Sequence, residues 1–106
     1  MESPVLNHHK VDAEGNPAGG HTHGRGFTIA WQDGPLVSDG DRIEPNGAFV
    51  ADVITAAIGR IEFYQASEFA SDYNERALGH LIEARAALRE RTQDRESRGV
   101  EGTHEK

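Results

Sequence analysis

The most regular pattern in the chain is an apolar stripe in its second half. Seven residues recur at steps of three and four positions: Val50, Val53, Ile54, Ala57, Ile58, Ile61 and Tyr64. This spacing places them on one side of an α-helix and predicts an amphipathic helix with one buried face. Asn46 is expected to begin the helix, because its side chain can accept a hydrogen bond from a free N–H of the first turn.

A second apolar stripe follows a turn that is predicted around Ser67 to Tyr73. Its members are Ala77, Leu78, Leu81, Ala84 and Leu88. Asp72 or Asn74 is expected to cap this second helix, and Gly99 to end it in a left-handed conformation. Two amphipathic helices joined by a short turn predict an antiparallel hairpin. The residues expected in its core are Ile54, Ile58, Ile61, Leu81 and Leu88.

The start of the chain has a different composition. Residues 1–26 are rich in Gly, His, Asn and Pro and contain few apolar side chains. Such a segment offers little surface to bury against the entropy of ordering it, so we expect a disordered N-terminal tail. Phe27 to Trp31 then suits a strand, and the turn sequences QDGPL and SDGD follow, with Leu36 and Val37 between them as the start of a possible return strand.

These patterns together predict a mainly α fold. It is a two-helix antiparallel hairpin preceded by a short β-ribbon or extended segment, with a disordered N-terminus. The predicted boundaries are 1–26 for a flexible tail, 27–45 for the strand and turn segment, 46–99 for the helical hairpin domain and 100–106 for a C-terminal tail.

Composition narrows the class of protein. The chain of 106 residues has no cysteine, which excludes disulfides and thiolate metal sites and leaves helix packing and self-association as sources of stability. No apolar segment reaches the length of a membrane span and none suits a signal peptide, so a cytoplasmic protein is expected. The net charge of −7 argues against binding to duplex nucleic acid. Arginines nevertheless gather in residues 76–106, where they form either a local anion site or a solvated helix face.

No catalytic motif is visible. The chain lacks GxSxG, a P-loop and a dinucleotide-binding glycine motif after a strand, so we expect a non-enzyme that needs no cofactor. His21 and His23 form an HxH pair, but without a third ligand at a defined spacing they predict no metal site. His80 lies beside Leu81 and borders either a pocket or the helix surface. Trp31 either stacks on a base or a partner surface or anchors the ribbon onto the helical hairpin. One of the adjacent Phe63 and Tyr64 should be exposed.

Three blocks of sequence carry a family resemblance. They are FTIAWQDGPL (27–36), EPNGAFVADVITAAIGRIEFYQ (44–65) and NERALGHLIEARAALRERTQDRESRGVEGTH (74–104). Together they resemble a group of small phage-encoded proteins. The two helices of that group are similar to the helical hairpin of phage anti-CBASS and anti-Thoeris sponges, which sequester the cyclic nucleotides that bacterial immune systems use as signals.

The resemblance implies a phage accessory protein in the cytoplasm of an infected bacterial host. It would form a homo-oligomer and bind a small anionic nucleotide without hydrolysing it. The candidate ligand-binding residues are Trp31, Arg60, Tyr64, His80, Arg91 and Arg95, with no catalytic residue and no metal. Two alternatives stay open: a protein-interaction or structural module that uses the arginine-bearing second helix, and a hydrolase with a cryptic site.

Overall fold

The computed structural model describes residues 3–106 and divides the chain into two compact units. The sheet unit runs to Phe49 and includes Gly102–Lys106, and the helical unit is Val50–Glu101. The strands are β1 (Leu6–Val11), β2 (Pro17–Gly24), β3 (Phe27–Ala30), β4 (Val37–Ser38) and β5 (Asp41–Arg42), and the helices are α1 (Val50–Gln65) and α2 (Asp72–Ser97). The fold is therefore mixed α/β rather than mainly α.

The predicted disorder of the N-terminus is wrong for residues 3–26; the first two residues of that predicted tail lie outside the described part. Strands β1, β2 and β3 form an antiparallel sheet in that order. The β1–β2 turn is closed by Asp12, whose carboxylate accepts hydrogen bonds from the backbone N–H groups of Glu14 (3.0 Å) and Asn16 (2.9 Å). Backbone pairing and turn chemistry thus order a segment that has few apolar side chains.

Glycines that suggested disorder have a structural role in β2. Gly20 has a φ of +104°, a conformation that L side chains rarely adopt. A Cβ at this position would overlap the carbonyl oxygen of His8 and lie 3.1 Å from the Cα of His9. Gly20 therefore lets β1 approach β2 closely.

One face of the sheet carries a chain of polar contacts that ends at the single tryptophan. The indole N–H of Trp31 donates to the hydroxyl of Thr22 at 2.8 Å, and that hydroxyl donates to the side-chain oxygen of Asn7 at 2.7 Å. Thr22 is buried and Trp31 half-buried. A buried hydroxyl that has both a donor and an acceptor carries little desolvation penalty. These hydrogen bonds therefore link β1, β2 and the residue after β3 at a small cost in free energy.

The segment after β3 is held by reciprocal bonds between two of the sequence blocks. The side-chain oxygen of Gln32 accepts from the backbone N–H of Asn46 (2.9 Å) and of Gly47 (3.3 Å). In return, the side chain of Asn46 accepts from the N–H of Asp33 (2.8 Å) and donates to its carbonyl (2.9 Å). The predicted role of Asn46 as a helix cap is thus wrong, because its side chain binds Asp33 and α1 begins four residues later.

A short ribbon lies in the predicted segment, but the expected pairing of Phe27–Trp31 with Leu36 and Val37 is wrong. Strand β3 pairs with β2 instead, and Val37 pairs with Arg42 in the β4–β5 hairpin. Its two-residue loop is Asp39 and Gly40, which have φ values of +53° and +82°. Positive φ at both positions fits the twist of a tight hairpin and explains the Asp-Gly sequence. The carbonyl of Gly102 accepts from the N–H groups of Leu36 (2.7 Å) and Val37 (3.0 Å), so part of the predicted C-terminal tail is bound to the sheet unit.

The helical hairpin is confirmed, with different capping from that expected. Ser71, rather than Asp72 or Asn74, caps α2, because its hydroxyl accepts from the N–H of Asn74 at 3.1 Å. Gly99 has the predicted positive φ of +74°. Its N–H donates to Glu96 and the next N–H donates to Arg95, the pair of bonds that defines a Schellman motif.

The core of the helical unit is small. Among the described residues, two hydrophobic side chains are buried, Ile58 (4% exposed) and Leu78 (8%). Ile58 was expected in the core and Leu78 was assigned to the apolar stripe. The other four predicted core residues, Ile54, Ile61, Leu81 and Leu88, are half-buried. Within residues 3–106, neither helix combines the length and the hydropathy that a membrane crossing needs.

Candidate functional site

The last turns of α1 bring a cation between two aromatic rings. Arg60, Phe63 and Tyr64 stand at i, i+3 and i+4, so their side chains share one side of the helix. The guanidinium carbon of Arg60 lies 4.9 Å from the ring centroid of Phe63 and 5.0 Å from that of Tyr64. Its Nε also donates to the Tyr64 hydroxyl at 3.1 Å.

Both rings of this Arg60 cluster are exposed, Phe63 by 60% and Tyr64 by 38%. The expectation that one of them is exposed thus understated the result. Arg60 reaches both rings, whose centroids are 6.1 Å apart with a 55° angle between their planes. A guanidinium has five N–H donors, and the bond to Tyr64 uses one of them. The cluster can therefore offer bidentate hydrogen bonds to a phosphate and an aromatic face to a base.

The neighbouring turn is fixed by Gln65, the last residue of α1. Its side-chain oxygen accepts from the N–H of Ser71 at 2.9 Å, and its side-chain nitrogen donates to the Ser71 carbonyl at 3.0 Å. This clamp holds Ser71 where it caps α2. It also defines the loop that presents Phe69 and Tyr73, which are 72% and 76% exposed.

A second pairing of arginine and aromatic ring lies at the start of α2. The guanidinium carbon of Arg76 is 5.7 Å from the ring centroid of Tyr73. Sequence reasoning missed Phe63, Phe69, Tyr73 and Arg76 as candidate site residues. The available signal was the number of aromatic residues outside the two apolar stripes, at a turn that has no core to bury them.

Three other candidate residues lie along α2. His80 and Arg91 are exposed. Arg95 is half-buried, and its guanidinium donates to the carbonyl of Val100 at 3.0 Å, while its own carbonyl accepts from the Val100 N–H. Arg95 therefore ties the chain beyond the end of α2 to the last turn of the helix.

Trp31 belongs to the sheet unit, whereas the other five candidates belong to the helical unit. Its indole N–H donates to Thr22, and Trp31 itself, one residue after β3, pairs with Ala48 through an isolated bridge. These contacts hold Trp31 within the sheet unit, and its two expected roles, stacking on a ligand or anchoring the ribbon onto the helical hairpin, stay predictions. Within the helical unit, the described structure brings Arg60 and Tyr64 together and spreads His80, Arg91 and Arg95 along α2.

Comparison with known proteins identifies a relative of the chain. No known family profile matches the chain. Over 83 residues the chain is 42% identical to Thoeris anti-defense 1 of Bacillus phage SBSphiJ7, an alignment that covers 78% of the chain. The chain is a homologue of Thoeris anti-defense 1. The match confirms the anti-Thoeris side of the resemblance seen in the sequence.

The alignment with Thoeris anti-defense 1 also has a limit in length. It covers 56% of the phage relative, so the chain spans little more than half of that protein. An identity of 42% over most of this chain indicates a common fold for the aligned part. The activity of the whole relative is therefore considered for this chain as a proposal.

Proposed function

We propose that the chain is a phage anti-defence protein that sequesters a cyclic nucleotide signal of bacterial immunity without hydrolysing it. The observation that carries this proposal is the 42% identity to Thoeris anti-defense 1. Sequestration needs affinity and copy number but no chemistry, which agrees with the lack of a recognisable catalytic motif in the sequence. The protein would act in the cytoplasm of the infected bacterium, where such signals are made.

The Arg60 cluster supports the proposal with suitable chemistry. A cyclic nucleotide presents phosphates and bases, and it is bound well by guanidinium donors next to exposed aromatic rings. The pairing of Arg76 with Tyr73 repeats these two elements beside the hairpin turn. Arg91 and His80 add exposed donors on α2. The net charge of −7 means that the attraction for an anion has to be local to such clusters.

Assembly is the second part of the proposal. Five large hydrophobic side chains of the helical unit are between 45% and 76% exposed in the single chain: Val50, Phe63, Phe69, Tyr73 and Ile82. Full burial of one such side chain is worth about 1.5–3 kcal/mol. Exposed apolar residues in a unit whose own core is Ile58 and Leu78 favour burial against further copies of the chain, and pockets between copies would follow.

The test of ligand binding is calorimetry with a panel of cyclic di- and trinucleotides, followed by chromatography of the recovered ligand. We expect at least one nucleotide to bind and to be recovered unchanged. Arg60→Gln should weaken binding by about 10–100-fold, since hydrogen bonds to charged groups are worth about 1.5–3 kcal/mol. Arg89→Gln is the matched control, because Arg89 is exposed on α2 outside the cluster. Consumption of the ligand would instead support a hydrolase.

The test of assembly is analytical ultracentrifugation at micromolar concentration. We expect at least a dimer, with Arg91 near the boundary between copies. Arg91→Glu should then abolish nucleotide binding and leave the oligomer largely intact. A strictly monomeric protein would remove pockets between copies and, with them, this form of the sponge.

The second candidate function is a protein-interaction module. The observation that favours it is the exposure of Arg89 and Arg91 on the 26-residue α2, which presents two neighbouring cations to a partner. No binding across the nucleotide panel, together with saturable binding of an acidic partner protein that Arg91→Glu abolishes, would favour this function over sequestration.

A further inference from the structure

Three histidines from two strands lie on one face of the sheet. His8 on β1 is the direct cross-strand partner of His21 on β2, and residues directly opposite share a face. His23 stands two residues after His21 and so returns to that same face. The sequence offered His21 and His23 as an HxH pair without a third ligand, and antiparallel pairing supplies that third residue from 13 positions upstream.

The ring nitrogens of this His8–His21–His23 cluster are close enough to share one ion. One nitrogen from each of the three rings lies within 4.8 Å of the others. The Nε2 atoms of His8 and His23 are 3.4 Å apart. Two histidine nitrogens bound to a tetrahedral Zn²⁺ at about 2.0–2.1 Å lie about 3.3 Å apart, so this pair already has the required separation.

We propose that His8, His21 and His23 form a binding site for one Zn²⁺ ion, a site beyond the proposed binding of a nucleotide. Three neutral imidazoles with a fourth position left to water are a common zinc environment. The rings reach it from a backbone that the β1–β2 pairing and the Gly20 contact hold in register. The ion would join the edge strand β1 to β2.

The surroundings allow an ion to enter. On this face, the β3 residues opposite His21 and His23 are Ala30 and Thr28, whose small side chains leave the rings accessible.

The competing explanation is a metal-free stack. The ring centroids of His8 and His21 are 4.6 Å apart, and those of His8 and His23 are 5.4 Å apart with nearly parallel planes. The 3.4 Å separation could then be a hydrogen bond between two neutral rings. Stacking explains the proximity of the rings, but it predicts no stoichiometric uptake of a metal ion.

The experiment is a titration of the full chain, free of any affinity tag, with Zn²⁺ alone, followed by calorimetry and by elemental analysis after gel filtration. We expect one Zn²⁺ per chain. His21→Gln keeps a polar side chain of similar size and should weaken binding at least ~10-fold, because loss of even an outer contact to a ligand costs ~10–100-fold. Zn²⁺ should also raise the melting temperature of the parent chain but not that of His21→Gln.

His9→Gln is the matched control. His9 is exposed, neighbours His8 on β1 and lies outside the cluster. It should therefore bind Zn²⁺ like the parent chain. Equal losses in His9→Gln and His21→Gln would show adventitious binding to surface histidines and overturn the proposal. A ratio of half an ion per chain would mean an ion shared between two copies, and unchanged binding in His21→Gln would exclude the cluster; each of these results also overturns it.

Discussion

Replacing Gly20 by alanine tests whether close approach of two strands orders the N-terminal half of the chain. The change adds a single methyl group at a φ of +104°. The new Cβ would overlap the carbonyl oxygen of His8 on the neighbouring strand. Because that oxygen belongs to the backbone, relief requires β1 to move away from β2.

The expected loss of stability has two parts. A non-glycine residue in a left-handed conformation costs about 1–2 kcal/mol. Overpacking against a fixed neighbour adds about 1–3 kcal/mol. Gly26→Ala is the matched control, since Gly26 has a φ of +83° but no atom within 4 Å of an added Cβ. Both variants restrict the unfolded chain equally, so the difference between them, about 1–3 kcal/mol, measures the contact with β1.

Urea unfolding followed by tryptophan fluorescence gives that difference. Trp31 is the single tryptophan of the chain and is hydrogen-bonded to Thr22 on β2, so its emission reports on the sheet unit. Far-ultraviolet circular dichroism follows the helices in the same samples. We expect the fluorescence midpoint of Gly20→Ala to fall well below that of Gly26→Ala. Equal midpoints for the two variants would refute the argument that β1 packs tightly on Gly20.

Three further predictions concern single residues. Gln65→Ala should lower the unfolding free energy of the helices by about 1–3 kcal/mol in denaturant titrations, because two hydrogen bonds to Ser71 are lost. A change below about 0.5 kcal/mol, the size of an ordinary surface substitution, would contradict the clamp. Leu78→Ala should cost about 2–5 kcal/mol by the same measurement, and melting like the parent would show that Leu78 lies outside the core. Hydrogen bonds from Asn16 lower the pKa of Asp12, so its stabilising effect should be present above the ordinary aspartate pKa and be lost as pH falls through the lowered value. Asp12→Asn should flatten this acid-side slope in thermal melts, and an unchanged slope would contradict it.

The sequence predicted the elements whose side chains follow a regular period. Helix α1 continues the stripe from Val50, and the Phe27–Ala30 strand and the Asp39–Gly40 turn lie where their residue types placed them. The N-terminal sheet could not be predicted in this way, because β1 and β2 are ordered by backbone hydrogen bonds and by glycines at close contacts. Glycine, histidine and asparagine in a row suggest disorder unless their pairing across strands is known.

The candidate site was predictable to a smaller degree. Arg60 and Tyr64 stand four residues apart on a helix, so their contact follows from helical geometry alone. The clamp of Gln65 and the bond from Arg95 to Val100 depend on how the chain leaves each helix, which periodicity does not describe. The proximity of His8 to His21 and His23 depends on the β1–β2 pairing, which the expectation of a disordered N-terminus had excluded.

The reciprocal bonds between Gln32 and Asn46 have a consequence for how this protein can vary. Each side chain satisfies backbone groups of the other segment, 13 to 15 positions away in sequence. A substitution at either position leaves the backbone groups of the opposite segment without their hydrogen-bond partners. The remaining side chain keeps only its own two hydrogen bonds to the other segment. A Cβ at Gly47 would stand 2.5 Å from the backbone of Trp31. The segment around Asn46 therefore has no room to move closer to Trp31 and replace the lost hydrogen bonds. Substitutions in one segment are therefore constrained by the other, and we expect positions 32 and 46 to change together rather than singly.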